Sequence, residues 1–267
     1  MTISIRPHML LKGLVAAAGV LVILHLSMVI AEYGFGRPNF LKLRSLFDLN
    51  REQNIPTLFS TVQLILASLF LTLLTADARA ARCGDTPYWA GLAVVFLYLA
   101  IDEFCELHER LIAPMRGALH VTGALSFAWV IPFGALVIGF AAIYARFWWR
   151  LPTNTRLMFA VAGAMYVGGG IGLEMMGSKL FTVYGWHSVQ FDLETMFEEG
   201  MEMTGVAIFV YALAVRLGDR VPAFSLTLSR HSGNALLHEM MRTKRIAGSA
   251  AMETRLHTGK VKRRASG

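Results

Sequence analysis

Charge is scarce in this chain. Only 16% of its 267 residues are Asp, Glu, Lys or Arg, where a soluble domain carries about 25%. An ordinary water-soluble fold is therefore a poor fit. Cysteine is scarcer: Cys83 and Cys105 are the only two. They fall at opposite ends of one apolar stretch, which argues against a bridge and against any disulfide scaffold. The chain has no repeat of fixed period and no segment that reads as a soluble domain. The first apolar run, about 13–30, is too long for a signal-peptide core, and no small-residue cleavage site follows it.

What the chain has instead is hydrophobic length, with 55% hydrophobic residues. Runs of roughly 20 apolar residues are long enough to cross a bilayer core. They predict an all-α polytopic membrane bundle of about six transmembrane helices. The expected spans are 13–30, 56–75, 88–113, 124–149, 157–181 and 193–217. Pro114 is expected to stop the third, and Pro132 to kink the fourth. The segment 34–54 alternates Phe40, Leu41, Leu43, Leu46 and Phe47 with Lys42 and Arg44, a pattern for lying along the interface. Residues 1–217 are read as the membrane domain and 218–267 as a basic, partly disordered tail. Within that tail Leu236, Leu237, Met240 and Met241 are suited to one face of a short surface helix.

Six spans put both termini on one side. Assigning that side to the cytoplasm gives it Arg6, Lys12, Arg79, Arg82, Arg146, Arg150, Arg156 and every basic residue from Arg216 onward, and leaves Arg37, Lys42, Arg44, Arg51, Arg110, Arg116 and Lys179 on the other. That follows the positive-inside rule. It predicts a bacterial inner-membrane protein with both ends in the cytoplasm. The pI of about 9.7 then reflects a surface facing anionic lipid, and no nucleic-acid partner is expected.

The acids follow the opposite logic. Asp102 to Glu109 holds four carboxylates and His108 within eight residues, directly after an apolar run. Ionisable groups so close to hydrocarbon are costly and read as functional. Helix alternation brings Glu32, Asp48, Glu52, Glu174, Asp192, Glu194, Glu198, Glu199 and Glu202 to the same side as Asp102–Glu109, with His25 and His187. Asp77 and Asp85 fall on the other side. Helical periodicity places Asp102, Glu106 and Glu109 on one stripe and Glu194, Glu198 and Glu202 on another. On that geometry His108 points away from its stripe. Arg51 and Arg110 are the nearest basic partners.

Like charges at such spacing repel more strongly as the dielectric falls. They need water, protons, basic partners or a bound cation. A solvated acidic rim would explain Glu194 at a helix N-terminus, but not acids at a helix C-terminus. The reading that uses all of them is a site for a divalent metal ion. Its expected ligands are Glu52, Asp102, Glu106, His108, Glu198 and Glu202, with Glu103, Glu109, Glu174, Glu194 and Glu199 behind them. Carboxylates with an imidazole suit calcium, manganese, iron or zinc. His-Glu-x-x-His is absent, and Cys105 stands where a di-iron Glu-x-x-His pattern needs Glu. An enzyme acting on a lipid-soluble substrate, a proton or cation transporter, and an accessory subunit of a membrane complex are the three functions this allows. A protein partner or oligomer contact is expected at the basic tail or at Gly168-Gly169-Gly170-Ile171-Gly172 on the fifth helix. His25, Cys105 and the methionines of the last two helices are read as packing residues, and His187, in a loop after Trp186, as interfacial.

Three motifs together resemble a family of uncharacterised bacterial multi-pass membrane proteins. They are Glu52-x-Asn54-x-Pro56-Thr57 leading to Ser60, Asp102-Glu103 with His108-Glu109, and Glu198-Glu199-x-x-Glu202-Met203. The resemblance spans about 40–215 and implies that these polar residues belong together. Glu52-x-Asn54 and Ser60 are also similar to alkaline-ceramidase-like membrane hydrolases. There the chain departs, with glutamates on its last helix in place of a His-x-x-x-His pair.

Overall fold

A computed structural model of the chain describes residues 6–37 and 43–220. Residues 38–42, which include part of the expected interfacial segment, lie outside the described residues. So do 221–267, with the expected tail helix. Every described element is helical. Six stretches are long and apolar enough to cross a membrane: Pro7–Gly34, Ile55–Ala80, Thr86–Cys105, Val130–Arg150, Thr153–Tyr184 and Val189–Arg220. The protein is an all-α multi-pass membrane bundle.

Local sequence explains the boundaries. Helix α1 (Pro7–Val29) starts on a proline and ends in a π turn, Ile30–Gly34. A single turn, α2 (Arg44–Phe47), follows in the loop. Helix α3 (Ile55–Ala80) has Pro56 in its first turn, where a missing N–H costs nothing. Asn54 caps it by accepting from the Thr57 N–H at 3.2 Å.

Helix α4 (Thr86–Cys105) departs from expectation. It stops at Cys105, because Glu106 adopts the left-handed conformation with φ 54°. The stripe of Asp102, Glu106 and Glu109 therefore does not exist as a continuous helical face. Pro114 is not the stop. It sits in the first turn of a separate helix, α5 (Ile112–Leu119), where the sequence had indicated a loop. Pro132 is likewise no kink, since α6 (Val130–Arg150) begins two residues before it. The fifth span is α7 (Thr153–Val167), a π segment Gly168–Leu173, and α8 (Glu174–Tyr184).

Helix α9 (Val189–Arg220) is the centre of the bundle and packs against α1, α3, α7 and α8. Its second half is apolar: Val206, Phe209, Val210 and Leu213 are buried with Leu64, Leu71 and Phe147. Gly205 lets α9 cross α7 backbone to backbone, because a Cβ there would sit 2.9 Å from the Ala162 carbonyl oxygen. Apolar side chains such as Val20, Ile23, Leu97, Leu136, Ile138 and Ile143 face outward, as lipid-facing surfaces must. At this apolar end of α9 two acids are paired with arginines. Arg150 meets Asp85 at 2.5 Å and Arg220 meets Asp77 at 4.0 Å.

Candidate metal centre

The opposite end gathers most of the other acids into two groups. The first is built around Arg44. Its guanidinium pairs with Glu32, with Asp48 at 2.8 Å and with Asp192 at 3.6 Å. Asp192 also accepts from the Tyr33 hydroxyl at 2.9 Å and from the Asn50 amide at 2.5 Å. His25 closes the group. Its Nδ1 accepts from the Leu49 N–H at 3.1 Å, so its Nε2 carries the proton and donates to the Asp192 carbonyl, also at 3.1 Å. This ties α1, the loop and α9 together. The sequence named Arg51 and Arg110 as the basic partners of the acids. Arg51 reaches Asp48 only at 3.7 Å, and Arg110 instead donates to the Cys105 carbonyl oxygen at 3.0 Å. Arg44 takes the role, because α2 turns it back onto Asp48 one helical turn later.

The second group starts at the end of α4. After the left-handed Glu106 the chain folds back on Asp102. The Asp102 carboxylate accepts from the His108 N–H at 3.0 Å and lies 2.9 Å from His108 Nδ1. His108 is thereby turned toward the acids, not away from them as uninterrupted helical geometry implies. Trp129 packs against the imidazole at 4.6 Å between ring centroids and donates from its indole to Glu174 at 2.8 Å. Ligand-capable atoms of Glu52, His108 and Glu109 lie within 4.8 Å of one another. One carboxylate oxygen of Glu52 is buried with no hydrogen-bond partner.

Of the expected ligands, Glu52 and His108 thus come together, and Glu109 joins them. Asp102 orients the histidine. Glu106 accepts from Gln53 at 3.0 Å at the exposed edge. Glu198 and Glu202 lie deeper, on α9. Glu198 faces Glu174 at hydrogen-bonding range. Glu202 is in electrostatic range of Glu103, Glu174 and Glu52, and Glu199 of Glu202 and Glu52. The glycine-rich segment explains how they fit. A Cβ on Gly170 would sit 2.7 Å from a Glu202 carboxylate oxygen, and one on Gly169 would sit 2.9 Å from its Cγ. Gly177 leaves the same kind of room for the Glu194 carboxylate. These glycines accommodate side chains of their own chain.

The electrostatics are one-sided. Two unit charges 4 Å apart repel by about 4 kcal/mol at the effective dielectric near a protein surface. Burial first, then the charges of Glu103, Glu109, Glu106 and Asp102, pushes the Glu52 carboxyl up to about 9. Burial also raises Glu109, helped by Glu106 and Glu174 and opposed by His108. For His108 burial acts downward, but the Asp102 hydrogen bond and the surrounding negative charge outweigh it and raise the imidazole. The Trp129 contact and the reversal at Glu106 carry no signal in the sequence, since neither follows from spacing or residue type.

The family model described as a domain of unknown function (DUF8692) matches residues 13–217. The match covers most of the chain and reaches into all six spans, so the chain belongs to that family. No curated protein and no solved structure matches it.

Proposed function

We propose that this member of the DUF8692 family binds a divalent metal ion between its helices and uses it on a lipid-soluble substrate. The observation that carries the reading is the compact Glu52, His108 and Glu109 group, with a buried, unpartnered Glu52 oxygen inside it. Asp102 on Nδ1 leaves Nε2 of His108 as the ligand atom. A carboxylate behind a ligating histidine is a common means of fixing the ring and its tautomer. Glu198, Glu202, Glu103 and Glu199 supply further oxygen donors deeper in the bundle. Hard or borderline cations such as manganese, iron, calcium or zinc match this donor set. A bound cation of this kind lowers the pKa of a coordinated water and polarises a substrate oxygen.

Transport is the weaker reading. Beyond Glu202 the core side of α9 is the buried apolar run of Val206, Phe209, Val210 and Leu213, which offers a cation no oxygen. For sidedness we propose a bacterial inner membrane with the site toward the periplasm, because Arg6, Lys12, Arg79, Arg82, Arg146, Arg150, Arg156, Arg216 and Arg220 belong to the other end, against Arg37, Arg44, Arg51, Arg110, Arg116 and Lys179 at the site end.

Thermal unfolding of chelator-treated protein tests the cation reading. Manganese or zinc should raise the melting temperature of the wild type and leave Glu52→Gln and His108→Ala unmoved. Equal shifts in all three would overturn it.

A further inference from the structure

A groove of about 470 Å³ runs along the outside of the bundle beside the carboxylate group. Its walls come from the first turns of α3 and the last turn of α4. Leu58 and Phe104 form the apolar part, and each is more than half exposed (55% and 53%) on a span that faces lipid. Gln53, Asn54 and Thr57 form the polar part at the membrane boundary. Arg110 lies at this polar edge, its guanidinium held by the Cys105 carbonyl oxygen at 3.0 Å. Among the described residues no carboxylate lies within 4.0 Å of that guanidinium. It therefore has an unneutralised charge beside a cluster rich in acids. Glu52 and Glu109 are gathered with His108 and do not line the groove. Glu106 is engaged by Gln53 and does not line the groove either.

We propose that this groove binds an anionic phospholipid of the surrounding membrane, with Arg110 on its phosphate and Leu58 and Phe104 along the start of its acyl chain. Three features select this occupant. The volume falls within the range of small-molecule sites and suits a headgroup with its first methylenes. The apolar walls belong to spans that lipid already covers. The charge at the polar end is a guanidinium, whose planar fork matches phosphate oxygens. The proposal does not rest on the cation reading. It places an amphiphile next to the carboxylate group whether or not a metal sits there.

Native mass spectrometry of the full-length protein in a neutral detergent tests it. The probes are phosphatidylglycerol, phosphatidylcholine and diacylglycerol. The wild type should retain phosphatidylglycerol in preference to both others. Arg110→Gln should lower that retention about tenfold, the scale of one charge-assisted hydrogen bond. Arg116→Gln, which removes a cation outside the groove, should leave it unchanged. Leu58→Trp should fill the groove and reduce phosphatidylglycerol without altering charge; should that variant not fold, Arg110→Gln decides alone. Equal retention in wild type and Arg110→Gln would overturn the proposal. So would equal losses in the two arginine variants, which means general surface attraction. Displacement of the lipid by millimolar inorganic phosphate would also overturn it, since the site would then hold a free anion.

Discussion

Around Arg44 every buried acid has a partner of opposite charge or a hydrogen-bond donor. Around Glu52 the acids have mainly one another. Both groups touch α9, the first through Asp192 and the second through Glu198 and Glu202. Asp192 and Glu198 are separated by only about 9 Å of helix. Membrane depth alone therefore does not separate them. The Arg44 group has one guanidinium shared among Glu32, Asp48 and Asp192, with Tyr33 and Asn50 donating to the Asp192 carboxylate and His25 to its backbone carbonyl. It needs nothing from outside the chain. The Glu52 group has one imidazole for a larger set of carboxyls, and Asp102 is already committed to that imidazole. Its balance must come from retained protons or from a cation. A neutralised network reads as a structural tie, and an unbalanced one as a binding site.

The largest expected effect breaks the first group. Arg44→Ala leaves Asp48 and Asp192 buried without their cation. Loss of one partner of a buried ion pair costs about 3–5 kcal/mol, so the melting temperature should fall sharply and little folded protein should survive purification. The equivalent change in the second group has the opposite sign. Glu52→Gln removes one of several repelling carboxyls, so metal-free protein should be no less stable than wild type. Its divalent-metal affinity should nevertheless fall by about 100-fold. A third change acts through orientation. Asp102→Asn keeps the size of the side chain but weakens its hold on His108, and should lower metal affinity about 10–100-fold. A loss of stability with unchanged metal affinity would make Asp102 part of a structural tie, like Asp48.

The most gradual effect is a pH slope, at most about 1.4 kcal/mol per pH unit for one proton. Glu52 has an ordinary value of 4.5 and is raised to about 9 in the folded protein. Below 4.5 both folded and unfolded states hold the proton. Between 4.5 and about 9 the unfolded state releases it while the folded state keeps it, which favours unfolding. Metal-free protein should therefore melt at progressively lower temperature from pH 5 to pH 9, and Glu52→Gln should flatten that slope. With metal present the trend should reverse, because the cation competes with the same proton. A wild-type slope shared by Glu52→Gln would assign the titration elsewhere.

Much of this organisation is legible in the sequence. Six apolar runs give the six spans, and helix alternation alone brings the acids to one end. Glu52 and His108 can be picked out as residue types suited to a cation. The division into two groups cannot. It depends on Arg44 reaching Asp192, about 150 positions away in the chain, which no local spacing encodes. The role of His108 is hidden for a different reason. Helical periodicity holds only while the helix continues, and α4 ends at a left-handed Glu106 that nothing in its residue type announces. The glycines on the fifth span point to a close approach by another helix. Gly169 and Gly170 make one within the chain, with Glu202 seated against them, while a Cβ on Gly172 would meet nothing within 4 Å.

Elemental analysis of purified full-length protein, comparing wild type, Glu52→Gln and Asp48→Asn, tests the central claim most directly. The two substitutions are chemically alike and sit in the two groups. The account predicts a divalent metal in the wild type, its loss in Glu52→Gln, and its retention in whatever folded Asp48→Asn protein is recovered. No metal in the wild type, or the same metal content in all three, would contradict it.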